Sequence, residues 1–131
     1  LSKAIIIFSL VQIIENEGLL SDSISLYLKC IELIEYCSIK DYELLGTCYN
    51  NLGLIKFKIG NLDESVDYFN KSIFYRNTLI ELHKKTSKKE LASTHNNLGS
   101  VYFKLGNYKL SLINLNKALE LLDYFNNDDI N

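Results

Sequence analysis

Proline, tryptophan and methionine are absent from these 131 residues. Without proline no helix is stopped or kinked by a pyrrolidine ring, and the breaks fall to glycine. Absent methionine implies that Leu1 is not a natural start and that the chain is a fragment of a longer protein. Cysteine is sparse: Cys30, Cys37 and Cys48 are odd in number, with no Cys-x-x-Cys spacing and no ligand histidines nearby. Small buried thiols in a reducing compartment, and so a cytoplasmic location, are the expectation; no metal and no cofactor is implied. No large excess of one charge exists either. The net charge of −2 supplies no global basic field for nucleic acid or an anionic membrane. Long apolar runs are missing too. The stretch 4–8 has no basic leader or small-residue cleavage site, and Ser9 and Gln12 interrupt its continuation to Ile14. It is too short to span a bilayer and reads as buried helix.

What is present is repetition. Gly18, Gly60 and Gly106 are each followed five residues later by serine (Ser23, Ser65, Ser111) and twelve later by a small residue (Cys30, Ser72, Ala118). Asn51-Leu52-Gly53 and Asn97-Leu98-Gly99 each begin nine residues before such a glycine. A chain built of copies is a stack of one supersecondary unit, and such stacks present binding surfaces. Hydrophobic residues make up 47% and charged residues 23%, ordinary values for one globular domain. Charge is uneven, however. Residues 1–45 carry 7 acids and 3 bases, 46–91 carry 5 and 8, and 92–131 carry 4 and 3.

The periodicity is helical almost throughout. Leu45, Cys48, Tyr49, Leu52, Ile55 and Ile59 follow the three-and-four spacing of one buried face, and Val66, Phe69 and Ile73 do so on the next helix. Leu98, Val101, Tyr102 and Leu105, then Leu112, Leu115, Leu119 and Leu122, repeat the pattern. The three turn glycines end helices in the left-handed conformation. Asn61 with Glu64, and Ser87 with Glu90, are expected helix starts. The layout is all-α: an α-α superhelix, or solenoid, of three antiparallel helix pairs, with helices over about 2–16, 20–37, 42–59, 62–84, 88–105 and 108–125. The chain is expected to form a single domain with repeats about 2–41, 42–86 and 87–126. A stripe of small residues on each second helix, with Gly53 and Gly99 on first helices, lets neighbouring helices approach closely.

These marks resemble the tetratricopeptide repeat, a helix–turn–helix unit with Leu-Gly, an aromatic, a turn Gly and two Ala at set positions. The third unit matches best, through Asn97-Leu98-Gly99, Tyr102, Gly106, Tyr108 and Ala118-Leu119. The second keeps Asn51-Leu52-Gly53, Gly60, Leu62, Tyr68-Phe69 and Ser72 but has Lys56 for the aromatic. The first keeps Gly18, Leu20, Tyr27 and Cys30-Ile31, with Val11 for the helix glycine. Serine stands where the family has its first alanine, and Ile7, Tyr49 or His95 where it has tryptophan. The turn glycines are 42 and then 46 residues apart, longer than the usual 34. Units this long resemble the repeats of kinesin light chains and of Leu-Gly-Asn polarity scaffolds, which bind extended peptides along an inner groove.

The resemblance implies that first helices line a concave face. Its expected partner-binding residues are Asn50, Asn51, Leu54, Phe57 and Lys58 from the second unit, and Asn96, Asn97, Ser100, Phe103 and Lys104 from the third. Asn51 and Asn97 occupy the position that in related arrays bonds a peptide backbone, and an amide offers the donor and acceptor this needs. Alternatively, both asparagines hydrate the groove or bond to neighbouring helices. Phe57 and Phe103 either anchor apolar partner side chains or pack within their own pairs. Lys58 and Lys104 are solvated charges or favour an acidic peptide. A carboxylate clamp for chaperone tails is not expected: at the corresponding positions Phe8, Gln12, Asn51, Ser93 and Asn97, the asparagine survives and the cations do not.

Catalysis is not indicated. No phosphate loop, dinucleotide fingerprint or His-Glu-x-x-His motif occurs, and His83 and His95 lie on different elements. The lysines between 84 and 89 are solvated charges rather than a nucleic-acid or lipid site. Two functions follow. The first is a non-catalytic scaffold or adaptor that binds an extended or helical peptide segment of a protein partner, with no nucleic acid and no membrane. The alternative is a structural segment of a larger array or assembly. Its end helices are too apolar to be polar caps, so self-association or further repeats would cover them.

Overall fold

The computed structural model describes residues 2–83 and 88–130, which form six helices and, among the described residues, no strand. They are α1 (Ser2–Asn16), α2 (Leu20–Glu35), α3 (Tyr42–Ile59), α4 (Leu62–His83), α5 (Lys88–Leu105) and α6 (Tyr108–Ile130). Two limits differ from the sequence expectation. α2 ends at Glu35, two residues early, where the Cys37 amide turns back to the Ile34 carbonyl and tightens the chain out of the helix. α6 continues past 125, through an Asn-Asp stretch where apolar periodicity has nothing to register.

Glycine closes three helices as its freedom allows. At Gly60, φ is 91°, and the amides of Gly60 and Asn61 return to the carbonyls of Phe57 and Lys56. Helix starts use short polar side chains: Asp41 accepts from the Leu44 amide at 3.0 Å and Asn107 from the Leu110 amide at 3.2 Å. Glu64, in the first turn of α4, pairs with Lys56 at 2.7 Å. The expected start at Ser87, and most of the 84–89 lysine run, lie outside the described residues.

Helices pack as α1 with α2, α3 with α4 and α5 with α6, and each second helix packs on the following first helix. α5 approaches both α3 and α4, whereas among the described residues the α3 backbone approaches the first pair at α2. One core cluster joins Val11, Tyr27, Cys30, Ile34, Leu45, Cys48, Leu52 and Ile55, and a second joins Phe69, Leu98 and Val101.

The small residues turn out to do two jobs. A Cβ added at Gly53 would lie 2.6 Å from the Phe69 ring, so only glycine admits that contact without displacing the ring. The serines also bond. Ser65 Oγ donates to the Gly53 carbonyl at 2.7 Å, Ser111 Oγ to the Gly99 carbonyl at 2.8 Å and Ser72 Oγ to the Gly46 carbonyl at 2.7 Å. A hydroxyl rather than a methyl therefore stitches α4 and α6 to buried carbonyls of their partner helices, a contribution of about 1 kcal/mol each, whereas Ser23 of α2 donates to the Leu19 carbonyl beside its own helix.

On another side of α3 the rings of Tyr42, Tyr75, Tyr49 and Tyr68 stack in a ladder, with centroids 6.0, 5.7 and 6.1 Å apart. Lys71 Nζ sits over the Tyr49 and Tyr68 rings. Tyr75 donates to Glu35 of α2 at 2.9 Å. Burial, then this carboxylate, push the Tyr75 phenol up to about 12.

Candidate partner-binding face

The first helices α1, α3 and α5 carry a row of polar side chains, and each joint between repeats is closed by one of them. At the first joint the Tyr27 hydroxyl accepts from Gln12 Nε2 at 2.8 Å and from Asn51 Nδ2 at 3.0 Å, and donates to Glu15 at 2.7 Å. All its hydrogen-bonding capacity is used. Burial first, and then the Glu15 carboxylate, raise the Tyr27 phenol well above its ordinary range. At the second joint Asn50 Oδ1 accepts from Asn97 Nδ2 at 3.2 Å and lies 3.1 Å from the Thr94 hydroxyl. That hydroxyl is also 3.1 Å from the Glu90 carbonyl, with one proton to share between them.

Asn51 and Asn97 thus each spend one amide N–H on the preceding repeat. Among the described residues neither Oδ1 accepts a hydrogen bond. Both residues are half-buried, one helix apart in the same register.

The other expected residues separate into two groups. Leu54 and Phe57 are half-buried against the second core cluster, and Lys104 Nζ sits 5.2 Å above the Phe57 ring. Phe103 is 64% exposed and leans on Tyr108 of its own pair, centroids 5.6 Å apart. Lys58, Asn96 and Ser100 are exposed. Ser100, Phe103 and Lys104 border a cleft of about 400 Å³ between α5 and α6, closed at one edge by Phe57. Asn96 borders a second, mostly apolar cleft of about 460 Å³ on the same pair, with Ala92, Leu115, Ala118, Leu119 and Leu122. A third, of about 250 Å³, lies where α1 and α3 diverge, between Phe8 and Thr47.

Sequence reasoning missed Tyr27 as the hub of the first joint. Its signal was a hydroxyl at a position where the later repeats have Phe69 and Leu115. It also missed Arg76, which is 4% exposed in α4. Arg76 Nε donates to Ser72 Oγ at 3.1 Å, but its Nη1 is buried without an acceptor among the described residues.

The remaining reactive groups are engaged structurally. His95 Nδ1 donates to Asn114 Oδ1 at 2.9 Å, and burial holds its pKa below the usual value. The Cys48 thiol donates to Cys30 sulphur at 3.7 Å; that bond and burial push Cys48 up. Among the described residues no three His, Cys, Asp or Glu side chains converge as metal ligands, and no helix is long and apolar enough to cross a membrane.

Residues 46–74 and 92–121 match the family model of the tetratricopeptide repeat. Those two stretches are tetratricopeptide repeats. The two matched stretches fall in the second and third helix pairs, and the first pair completes the same all-α solenoid. Solved structures share the fold at low identity. BtubC (BKLC) from P. vanneervenii aligns at a TM-score of 0.75 and 18% identity, over 92% of this chain and 46% of that one. The chain therefore spans about half the length of that protein. The N-terminal domain of stress-induced protein-1 (STI-1) from C. elegans aligns at 0.73 and 18%, over 92% of this chain and 84% of that one. No curated protein matches the sequence. Tetratricopeptide repeats make this chain a protein-interaction scaffold in general terms.

Proposed function

We propose that this scaffold is a cytoplasmic, non-catalytic adaptor that binds an extended peptide of a protein partner along the row of first helices, across Asn51 and Asn97. The observation that carries the reading is the half-used state of these two amides. One N–H of each is held by the preceding repeat, so each Oδ1 is a pre-oriented acceptor for a partner's backbone N–H, and little side-chain entropy is lost on binding. The neighbouring cleft at Ser100, Phe103 and Lys104 offers an apolar anchor beside a cation, which favours a peptide with an apolar residue next to an acidic one. The long repeat period, as in kinesin light chains and Leu-Gly-Asn scaffolds, is consistent with a deep groove. Leu54, Phe57, Lys58, Asn50 and Asn96 complete the proposed face.

The test is a peptide array probed with wild type, Asn51→Ala/Asn97→Ala and Phe103→Ala/Lys104→Ala. Because the asparagines also close joints, circular dichroism and thermal melts must first show that the variants are folded. The reading expects at least tenfold weaker capture by both double variants. Undiminished capture of every peptide by a folded Phe103→Ala/Lys104→Ala variant would sink it.

A further inference from the structure

Cys30 and Cys48 face each other inside the first joint, with helices of this chain on both sides, and both are 0% exposed. Their sulphurs lie 3.7 Å apart across α2 and α3, about 1.7 Å more than the length of a disulfide bond. The two thiols form a chain of donors. Cys48 gives its proton to the Cys30 sulphur, and Cys30 gives its own to the Ala4 carbonyl of α1 at 3.3 Å. The bond from Cys48 outweighs burial and holds the Cys30 thiol below its ordinary value, whereas Cys48 is pushed up. Cys30 is therefore the readier nucleophile and Cys48 the resolving thiol. Cys37 stands apart, seven residues beyond Cys30, and donates to the Leu33 carbonyl at 3.3 Å.

A small oxidant has a way in. The cleft of about 250 Å³ where α1 and α3 diverge is lined by Phe8, Leu44 and Thr47. Phe8 is one turn from Ala4 along α1, and Leu44 is one turn from Cys48 along α3. The cleft thus opens a turn away from the thiols, and it has room for a molecule about twice the size of water, which takes about 30 Å³.

We infer that Cys30 and Cys48 are a redox modification site, which hydrogen peroxide converts to a disulfide that locks α2 onto α3. The Cys30 thiolate attacks one peroxide oxygen; the O–O bond breaks, and the leaving hydroxide takes up the proton that Cys30 lost, forming water. The Cys48 sulphur then attacks the sulphur of the resulting Cys30 sulfenic acid. An S–S bond forms, the S–O bond breaks, and hydroxide leaves with the Cys48 proton as a second water. Each sulphur loses one electron and the peroxide gains two. The product is neutral and suits this apolar core, where a sulfinate would leave a buried charge. The Ala4 carbonyl loses the thiol donor but keeps its bond within α1. The bridge lies one turn from the Tyr27–Asn51 bond on both helices and so stiffens the hub of the first joint. Neither step requires a bound partner, and cellular thiols return the pair to its reduced form once the oxidant is gone.

The test uses the full chain carrying Cys37→Ser, a change that keeps a donor for the Leu33 carbonyl, oxidised with hydrogen peroxide while folded and then alkylated. Mass spectrometry should find a monomer lighter by two hydrogens, with Cys30 and Cys48 in one linked peptide that dithiothreitol separates. The closed loop should raise the thermal midpoint by about 5–10 °C. In Cys37→Ser/Cys48→Ser, checked for fold by circular dichroism, Cys30 should instead stop as the sulfenic acid and be captured by dimedone. The inference is overturned if both thiols stay reduced in the folded chain while a free-thiol peptide in the same tube is oxidised. A linked chain whose midpoint does not rise overturns it as well, since the joint would not then be locked.

Discussion

Arg76 and His95 are polar side chains placed among apolar packing, and each makes stability depend on something measurable. Desolvation lowers the Arg76 pKa, opposed by the charges of Glu90 and Glu43, yet no salt bridge forms among the described residues and Nη1 is left without an acceptor. A buried charge of this kind is often replaced by an apolar residue without loss. Arg76→Met is therefore expected to be neutral or stabilising by up to about 2 kcal/mol, while Arg76→Ala loses about 2–3 kcal/mol to the cavity. Urea denaturation of both reads this directly, and a Met variant weakened as much as the Ala variant would show that the guanidinium is a net stabiliser. For His95 the sign follows from its depressed folded pKa. The unfolded chain takes up a proton first as pH falls, so the ring's stabilising contribution is present above its ordinary pKa and is lost as pH drops through the folded value. Wild type should lose more stability between pH 7.5 and pH 5 than His95→Phe; parallel losses would refute that assignment.

Among the helices, the joints are unequal. α5 is held by both α3 and α4, but α3 reaches the first pair through α2, and the cleft between Phe8 and Thr47 stays open. What holds the first joint is the apolar cluster that α2 shares with α3, the Tyr27 hub and the Tyr75–Glu35 bond, and α1 is tied in through α2. Units with fewer buried contacts open at lower free energy. Native-state hydrogen exchange should find the amides of α1 less protected than those of α3 and α4; equal protection would mean the joint is as tight as the second. The elements themselves were largely legible, because turn glycines and three-and-four spacing are local signals, and α1, α3 and α5 run where periodicity places them. The two misjudged ends, after Glu35 and beyond residue 125, lie where apolar residues give out or stand exposed, as at Tyr36 and Ile39.

For the whole molecule, sequence repetition implied a stack but not what closes its joints. The place of the asparagines in the repeat marks them in the sequence, yet their partners, Tyr27 for Asn51 and Asn50 for Asn97, depend on the residue across the joint. In the sequence serine is merely small, and its bond to a glycine carbonyl exists only with the facing helix in place.

The tyrosine ladder also gives the molecule an optical handle. With no tryptophan to dominate, near-ultraviolet dichroism and ultraviolet emission come from phenols, and four of the nine tyrosines are stacked in a single ladder. Rings 5.7–6.1 Å apart interact as coupled chromophores rather than independent ones. Tyr42 and Tyr49 belong to α3, Tyr68 and Tyr75 to α4, and Tyr75 is tied to Glu35 of α2. The coupled part of that spectrum therefore reports how α3 packs on α4, at the pair that Tyr75 ties to Glu35 of α2, with no label added.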